Sequence, residues 1–588
     1  VQLVCPVCTA QRIAIIGGGI AGSFVAKYLT DLEKVAVGDS GCSIQSLTLF
    51  TRGDHKHSDS TDGVFGIMEA DTRFASNLFA DKYVELGHAL LSEQLFPLVS
   101  EMAKSGNLER EKPLESMSSW TQKGFHGTVF HNGKGHIAFN ATSVSDSPWQ
   151  AFVWRYSIDL YVVSRLASKL QSKLADAHQN LLNMHKEQFF YDSPNALWED
   201  LGVQGLVRTP FNRLLDKYMV HEQLSWWRKY LPIHQGSFRQ EALSSILLSF
   251  FNQDPFQLNT LSGLMAYSLA MDETVFHVRG GNKKLISVAW NAAKETHVKK
   301  CSRDSSTEVI RHMQVTVSTV VGSVYGFELY DSDGQTIGEY DQVILADPVF
   351  AAVKNYRIEF LIRSHMDETA VLQQMPLGGL IENVGEEATA HEIPADHEGH
   401  SPLPHRLPAA VSRPFIQSVT TVVKGAVLQK PYWFSEEAIK SNRMASQILM
   451  TSIGKLNNYN LTGIFEIDGE SSDDGGRWYK VCSSQSLSVD ILQKFFGPNV
   501  QVVAENQWDI APDHQGDGIS TNFLLYDGAT GFHGHTRAGA LYYPAALEHT
   551  LATVETQAMG AMAVAKLIAR RLDWIETSHE FFAFGDEL

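Results

Sequence analysis

The ten residues Ile13–Gly22, I-A-I-I-G-G-G-I-A-G, restrict the fold more than any other stretch of the chain. An isoleucine-rich run ends in glycines spaced G-x-G-x-x-G, and Ala21, Phe24, Val25, Ala26, Tyr28 and Leu29 follow. This order reads as strand, tight turn, helix. Gly17 permits the turn, Gly19 lets the backbone approach a pyrophosphate, and Gly22 lets the helix lie close on the strand. With the free N–H groups and positive dipole end of the helix at Ile20 and Ala21, the stretch predicts a dinucleotide phosphate site built from backbone.

Ser46–Phe50 is the next strand candidate, and its tip is Thr51-Arg52-Gly53-Asp54. A carboxylate ordinarily closes on the ribose hydroxyls at that tip. Here Thr51 is placed to make one such hydrogen bond, and Asp54 would reach only if the strand ran on.

The 588 residues suffice for two or three domains, and 44% hydrophobic, 10% aromatic and 19% charged residues describe an ordinary globular chain. A formal charge of −18 argues against nucleic acid or an anionic membrane surface as the main partner. The sequence contains no apolar run long enough to span a bilayer. Cys5-Pro6-Val7-Cys8 could be a short disulfide, a partial metal site or two thiols, and without a second such pair structural zinc is not expected. The chain starts at Val1, not Met, which agrees with a removed signal peptide. Asn140-Ala141-Thr142 and Asn460-Leu461-Thr462 fit the glycosylation pattern. The expected location is the secretory pathway, lysosomal, vacuolar or secreted, with the cytoplasm as the alternative.

Along the chain, helical periodicity is predicted from Phe74 through Leu98, and a hairpin over 127–139 turning at Asn132-Gly133. From Pro148 to Met271 the pattern is helical and rich in large apolar side chains, as a domain covering a substrate would be. Phe276–Ile286 reads as a strand entering a helix through Gly280-Gly281. Three short β segments between Val315 and Tyr330, turning at Ser332-Asp333-Gly334, lead into the buried strand 342–345. Residues 382–413 carry His391, His397, His400 and His405 among prolines and acids, and read as a solvated loop; no metal site is expected. Val419–Gly425 is a strand, and a small-residue helix from about Thr550 to Arg571 closes the chain. The order of helix, meander and short strand resembles the second half of the nucleotide domain in flavoproteins of the glutathione-reductase type.

Separated segments together resemble one family. Gly17–Gly22, Val153-Trp154-Arg155-Tyr156, Val278-x-Gly280-Gly281-Asn282-Lys283, Val419-Thr420-Thr421-x-Val423-Lys424-Gly425 and Leu541-Tyr542-Tyr543 with Glu548 and Glu555 are similar to the prenylcysteine oxidases, also called prenylcysteine lyases. The resemblance implies an α/β fold: a Rossmann-type FAD-binding domain of the glutathione-reductase/amine-oxidase type with an inserted, largely helical and mixed-sheet substrate domain. It implies FAD as cofactor, an apolar, prenylated small molecule as substrate and dioxygen as electron acceptor. In that chemistry hydride leaves the prenyl carbon bound to sulfur, water adds, and the hemithioacetal collapses to cysteine and a prenyl aldehyde, with hydrogen peroxide released. Two alternatives remain: a related flavin oxidase acting on another apolar molecule, and a non-catalytic prenyl-binding protein on the same fold.

The expected division is 9–75, 276–350 and 506–588 for the FAD-binding domain, with 76–275 and 351–505 for the substrate domain. Gly17, Gly19, Ile20, Ala21, Gly22 and Thr51 are the cofactor-binding candidates read from the first unit. Gly281, Asn282, Glu548 and Glu555 are added by the resemblance. His533, His535, Tyr542 and Tyr543, just before the closing helix, are the catalytic candidates. Thr51 in place of the acid, and Asp347 at the end of a later strand where the family has a small or hydroxyl residue, depart from its pattern.

Overall fold

In the computed structural model, the described residues are 11–37, 44–52, 76–79, 82–85, 90–111, 128–131, 137–140, 148–182, 190–219, 237–253, 257–301, 310–322, 326–347, 359–362, 373–376, 415–426, 428–429, 433, 447–451, 460–468, 477–512, 521–527, 539–572 and 574. The sheet that carries the glycine turn has six strands, in the order Ile310–Gln314, Ile44–Thr51, Gln11–Ile16, Gln342–Leu345, Ala540–Tyr542 and Leu524–Asp527. All neighbours pair in parallel except the last, Leu524–Asp527 on Ala540–Tyr542. The central strand pairs Ile13 with Leu47 on one side and with Gln342 on the other. A parallel strand flanked on both sides and covered on both faces must be apolar throughout, which is why Ile13, Ala14, Ile15 and Ile16 are all buried.

Helix Ile20–Val37 returns the chain from the first strand to the second. It packs against the closing helix Val554–Arg571 on one flank and helix Lys284–Cys301 on the other. Its Phe24, Val25, Leu29 and Leu32 are buried in the main core, each large side chain contributing about 1.5–3 kcal/mol over an exposed position. The closing helix is rich in alanine and carries a glycine where it is most tightly hemmed in: a Cβ on Gly560 would stand 1.9 Å from the Pro544 carbonyl oxygen. A five-stranded sheet, containing the antiparallel strands Val317–Gly322, Phe327–Asp331 and Thr336–Tyr340, adds Val320, Phe327 and Leu329 to the same core.

A seven-stranded sheet forms the second body. Its order is Gln501–Pro512, Phe415–Ala426, Arg477–Ser483, Leu461–Asp468, Gln447–Met450, Thr128–His131 and Ile137–Asn140. In Arg477–Ser483, Tyr479 and Val481 face one side and pack with Phe495, Phe496 and Trp433. The alternate residues Lys480 and Cys482 face the opposite side, toward helices Ser244–Phe251 and Thr260–Met271. Helix Thr260–Met271 is apolar all round and buried from Thr260 to Ala270, as a helix inside a domain must be. Asn259 caps it by accepting from Ser262 N, while Asn259 Nδ2 and Ser262 Oγ both donate to the Thr550 carbonyl oxygen. Trp198 Nε1 donates to Thr550 Oγ1. Thr550 thereby ties the helical layer to the segment entering the closing helix.

Several sequence expectations appear in place. Strands Thr128–His131 and Ile137–Asn140 pair as the predicted hairpin, and Val275–Val278 passes through Gly280 and Gly281, both at positive φ, into helix Lys284–Cys301. The helix expected from Phe74 through Leu98 is corrected. Ser76–Phe79 and Lys82–Glu85 are an antiparallel strand pair, and helix begins only at Pro97, running to Ser105. Proline is tolerated at the first helical position, and the helix receives its cap from a distant residue, so its start is not encoded nearby. Two of the division points fall inside strands: 275/276 cuts Val275–Val278, and 505/506 cuts Gln501–Pro512. Cys5, Cys8, the Asn132-Gly133 turn and the histidine-bearing segment 382–413 lie outside the described residues.

Candidate functional site

The glycine turn is held between the tips of three strands. Gly17 has φ of +115° and donates its N–H to the Phe50 carbonyl, 2.9 Å away. A Cβ there would come within 2.6 Å of Asp347 N, and one on Gly22 within 2.0 Å of the Gly17 carbonyl oxygen. Helix Ile20–Val37 can therefore start directly on the turn, with Ile20 and Ala21 buried at its first positions. The first N–H groups of a helix have no partner within it, and here they sit at the carboxyl end of a parallel sheet, where phosphate groups bind. On these grounds the residues present fit a dinucleotide pyrophosphate.

The strand tips beside this turn differ from the usual arrangement. Thr51 is buried, and its hydroxyl is 2.8 Å from His312 Nε2 on the neighbouring strand. Arg52 reaches across to Asp347, 3.1 Å away. That partly exposed pair contributes under about 1 kcal/mol, but it sets a cation against the carboxylate nearest the turn. Burial, with the Lys294 charge adding to it, lowers the His312 pKa to about 4. A histidine depressed from 6.5 is neutral when folded, so its contribution is complete above pH 6.5 and is lost as pH falls toward 4. At about 1.4 kcal/mol per unit, the window amounts to roughly 3 kcal/mol. The wild type should lose about 2 kcal/mol more stability than His312→Gln between pH 7 and 4.5 in paired thermal melts. Parallel curves would show that His312 titrates normally.

The other candidates are placed as follows. Asn282 is fully buried and its Oδ1 accepts from Val278 N at 2.8 Å, locking the Gly280-Gly281 turn. Glu548 accepts from Gln557 Nε2 at 2.6 Å. Glu555 is buried and caps helix Pro97–Ser105: its two carboxylate oxygens accept from Leu98 N at 2.9 Å and Val99 N at 3.0 Å. Tyr542 ends the fifth strand of the parallel sheet and Tyr543 follows it, both fully buried in the core. Neither lines the cavity described below. His533 and His535 lie outside the described residues. The Trp154-Arg155-Tyr156 motif fastens the long helix Pro148–Leu182 to Glu241: Arg155 Nε donates at 3.0 Å and Tyr156 OH at 2.7 Å.

A cavity of about 120 Å³ opens between the seven-stranded sheet and the helical layer, several times the space one water requires. Its helical side is largely apolar, with Leu248, Phe251, Met265 and Leu269, joined by Phe96, and carries Ser249 and Asn252 at one end. Its sheet side is mixed, with Ser418, Thr420, Gln447, Thr462, Lys480 and Cys482 beside Leu449 and Phe465. Ala552, Thr553 and Val554 complete the wall. The N-terminus of the closing helix thus faces the cavity, while the body of the same helix packs on the glycine-turn helix. Lys480 and Cys482 are absent from the motif-based reading. The period-two alternation of R-W-Y-K-V-C-S was their only sequence signal, and it cannot say which face of a strand meets a void.

The first sheet, its glycine turn and the closing helix define a Rossmann-type α/β fold, with a sheet-and-helix body inserted into it. Within this chain, residues 399–580, its C-terminal part, match the family model for prenylcysteine lyase. The match covers the cavity's sheet side from Phe415 onward and the whole closing helix. No curated protein matches the chain. Solved structures similar over nearly the whole chain include a putrescine oxidase bound to putrescine, 14% identical, TM-score 0.47, covering 95% of this chain and 99% of that one. A fatty acid isomerase from P. acnes is 11% identical with TM-score 0.49, covering 95% and 98%. Cyclohexylamine oxidase from Brevibacterium oxydans is 14% identical with TM-score 0.43, covering 96% and 100%.

Proposed function

We propose that the chain is an FAD-dependent oxidase that cleaves a prenyl thioether: thioether, water and dioxygen give cysteine, a prenyl aldehyde and hydrogen peroxide. The observation that carries the reading is the closing helix, which packs on the glycine-turn helix and presents its N-terminus to a half-apolar cavity. The prenylcysteine lyase family match over that helix and the cavity's sheet side supports the substrate class. Gly17, Gly19 and Gly22 would hold the pyrophosphate, and FAD when bound would supply the two-electron acceptor and the route to dioxygen. Leu248, Phe251, Met265 and Leu269 would hold the prenyl chain and keep bulk water from it. Sulfur stabilises positive charge on the adjoining carbon, so the chemistry asks for positioning more than for a strong protein base. A buried Thr51 paired with His312, where a ribose carboxylate is usual, favours a second reading as a non-catalytic prenyl-binding protein.

The visible spectrum of the purified protein, repeated anaerobically with farnesylcysteine, separates these readings. Flavin bands that bleach on mixing are the expected result. Bands that persist would move the substrate elsewhere, and no bands even after incubation with FAD would leave the binding protein.

A further inference from the structure

We propose that Phe465 sets how long an apolar tail the cavity accepts, its ring occupying a gap that Gly463 leaves in the sheet face. The inference deepens the prenyl-thioether reading and rests on it for the nature of the tail and for the end of the cavity at which the reacting carbon sits.

The sheet residues that border the cavity come from four neighbouring strands, Phe415–Ala426, Arg477–Ser483, Leu461–Asp468 and Gln447–Met450. At about 4.8 Å per strand, the cavity reaches ~14 Å across the sheet. Different elements cover its two ends. The short helix Pro544–His549, just before the cavity-lining Ala552, packs on Gln501–Pro512, the strand beyond Phe415–Ala426 in the sheet order. Helix Ser244–Phe251 packs on Leu461–Asp468 and Gln447–Met450 at the other end. A ligand whose reacting carbon lies by the closing helix therefore sends its tail toward those two strands and the helix above them.

The strand register sets what the tail meets there. Thr420 stands opposite Cys482, Cys482 opposite Gly463, and Gly463 opposite Leu449, so the four form one row across the sheet. Thr420, Cys482 and Leu449 border the cavity, whereas Gly463 puts no side chain into the row. Phe465, two residues further along the same strand, points to the same face and fills that place. A Cβ on Gly463 would lie 2.9 Å from Phe465 Cε2, 3.0 Å from its Cζ and 3.5 Å from Leu449 Cδ2, so the ring leans over the glycine beside Leu449. Phe465 is buried and itself borders the cavity. The row is thus closed at its far end by a rotatable ring and not by backbone. Shortening that side chain opens the space over Gly463 to the tail. A methyl group added at Gly463 meets the tip of the ring and drives it into the cavity. Each methylene moved from water into such a space strengthens binding about fourfold.

The test uses the full chain and calorimetric titration with geraniol, farnesol and geranylgeraniol, alcohols that lengthen by one isoprene unit at a time and carry no thioether to oxidise. Phe465→Ala should raise the affinity for geranylgeraniol relative to farnesol at least about tenfold, and Phe465→Leu should shift it in the same direction by less. Gly463→Ala should move the preference the opposite way, lowering that ratio about tenfold. Because Gly463→Ala leaves the ring in place and Phe465→Leu keeps the position apolar, the outcome is readable even if the larger truncation unfolds the chain. The same length preference in wild type and in the folded variants overturns the proposal, and so does a Gly463→Ala that favours the longer tail. Wild type that binds no member of the series overturns it as well, since the cavity then takes no isoprenoid tail. The matching S-prenylcysteines, mixed anaerobically with the flavin-loaded protein, separate the two conclusions. Length-dependent binding without bleaching defeats the oxidase reading alone, and bleaching with a length preference that the variants leave unchanged defeats the role of Phe465 alone.

Discussion

Gly22→Ala is expected to purify without flavin and with a clearly lowered Tm. The added Cβ would lie 2.0 Å from the Gly17 carbonyl oxygen and 3.1 Å from Ile15 Cγ2, so either the turn or the first helical turn must move. Neither can do so alone, because Gly17 N is bonded to the Phe50 carbonyl and Asp347 N to that of Ile16. Backbone forced aside in a packed core costs about 3 kcal/mol or more, and the N–H groups that would meet the pyrophosphate move with it. The checks are the ratio of visible to protein absorbance after incubation with FAD, and the thermal melt. Gly205→Ala is the control, since a Cβ there meets nothing within 4 Å. Full flavin content in Gly22→Ala would remove the phosphate role from this turn.

Glu555→Gln is expected to lose about 2–4 kcal/mol of stability. The carboxylate accepts from two backbone N–H groups at the start of helix Pro97–Ser105, whereas an amide can accept through one atom and must turn N–H groups toward the other donor. A buried N–H left without its acceptor costs about 1–3 kcal/mol, and the attraction of a negative charge to the helix N-terminus is lost as well. The loss should be local. Hydrogen exchange should speed at Leu98 and Val99 before it changes in the parallel sheet. Phe96 lies immediately before this helix and lines the cavity, so ligand affinity should weaken alongside. Unchanged exchange at those two amides, with flavin lost, would instead make Glu555 a cofactor contact.

The two predictions differ in how far their residues could be read beforehand. Gly22 follows from spacing: three glycines between an apolar strand and an amphipathic helix have few other uses, and the structure supplies the contact distances. Glu555 sits 456 residues from Val99, and its role depends on where two helices meet. Thr51 is an intermediate case. Its position at the strand tip was legible, but its partner His312 comes from a strand 261 residues away that joins the same sheet edge. The helix expected over 74–98 failed for a related reason: periodicity counts apolar positions, and a strand pair followed by a helix capped from elsewhere produces a similar count.

By itself, the sequence determined the parallel βαβ unit with its glycine turn, the helices described between 148 and 271, the Gly280-Gly281 entry into a helix, and the small-residue closing helix. Each of these is written in neighbouring residues, through apolar period, glycine spacing or side-chain volume. Only the tertiary structure decided that Lys480 and Cys482 face a cavity, that Glu555 caps a helix, that Arg52 meets Asp347, and that Thr550 joins the helical layer to the closing helix. Those contacts lie between segments far apart in the chain. A local pattern can say that a strand has two faces, but what lies against each face is settled only when the remote segments pack together.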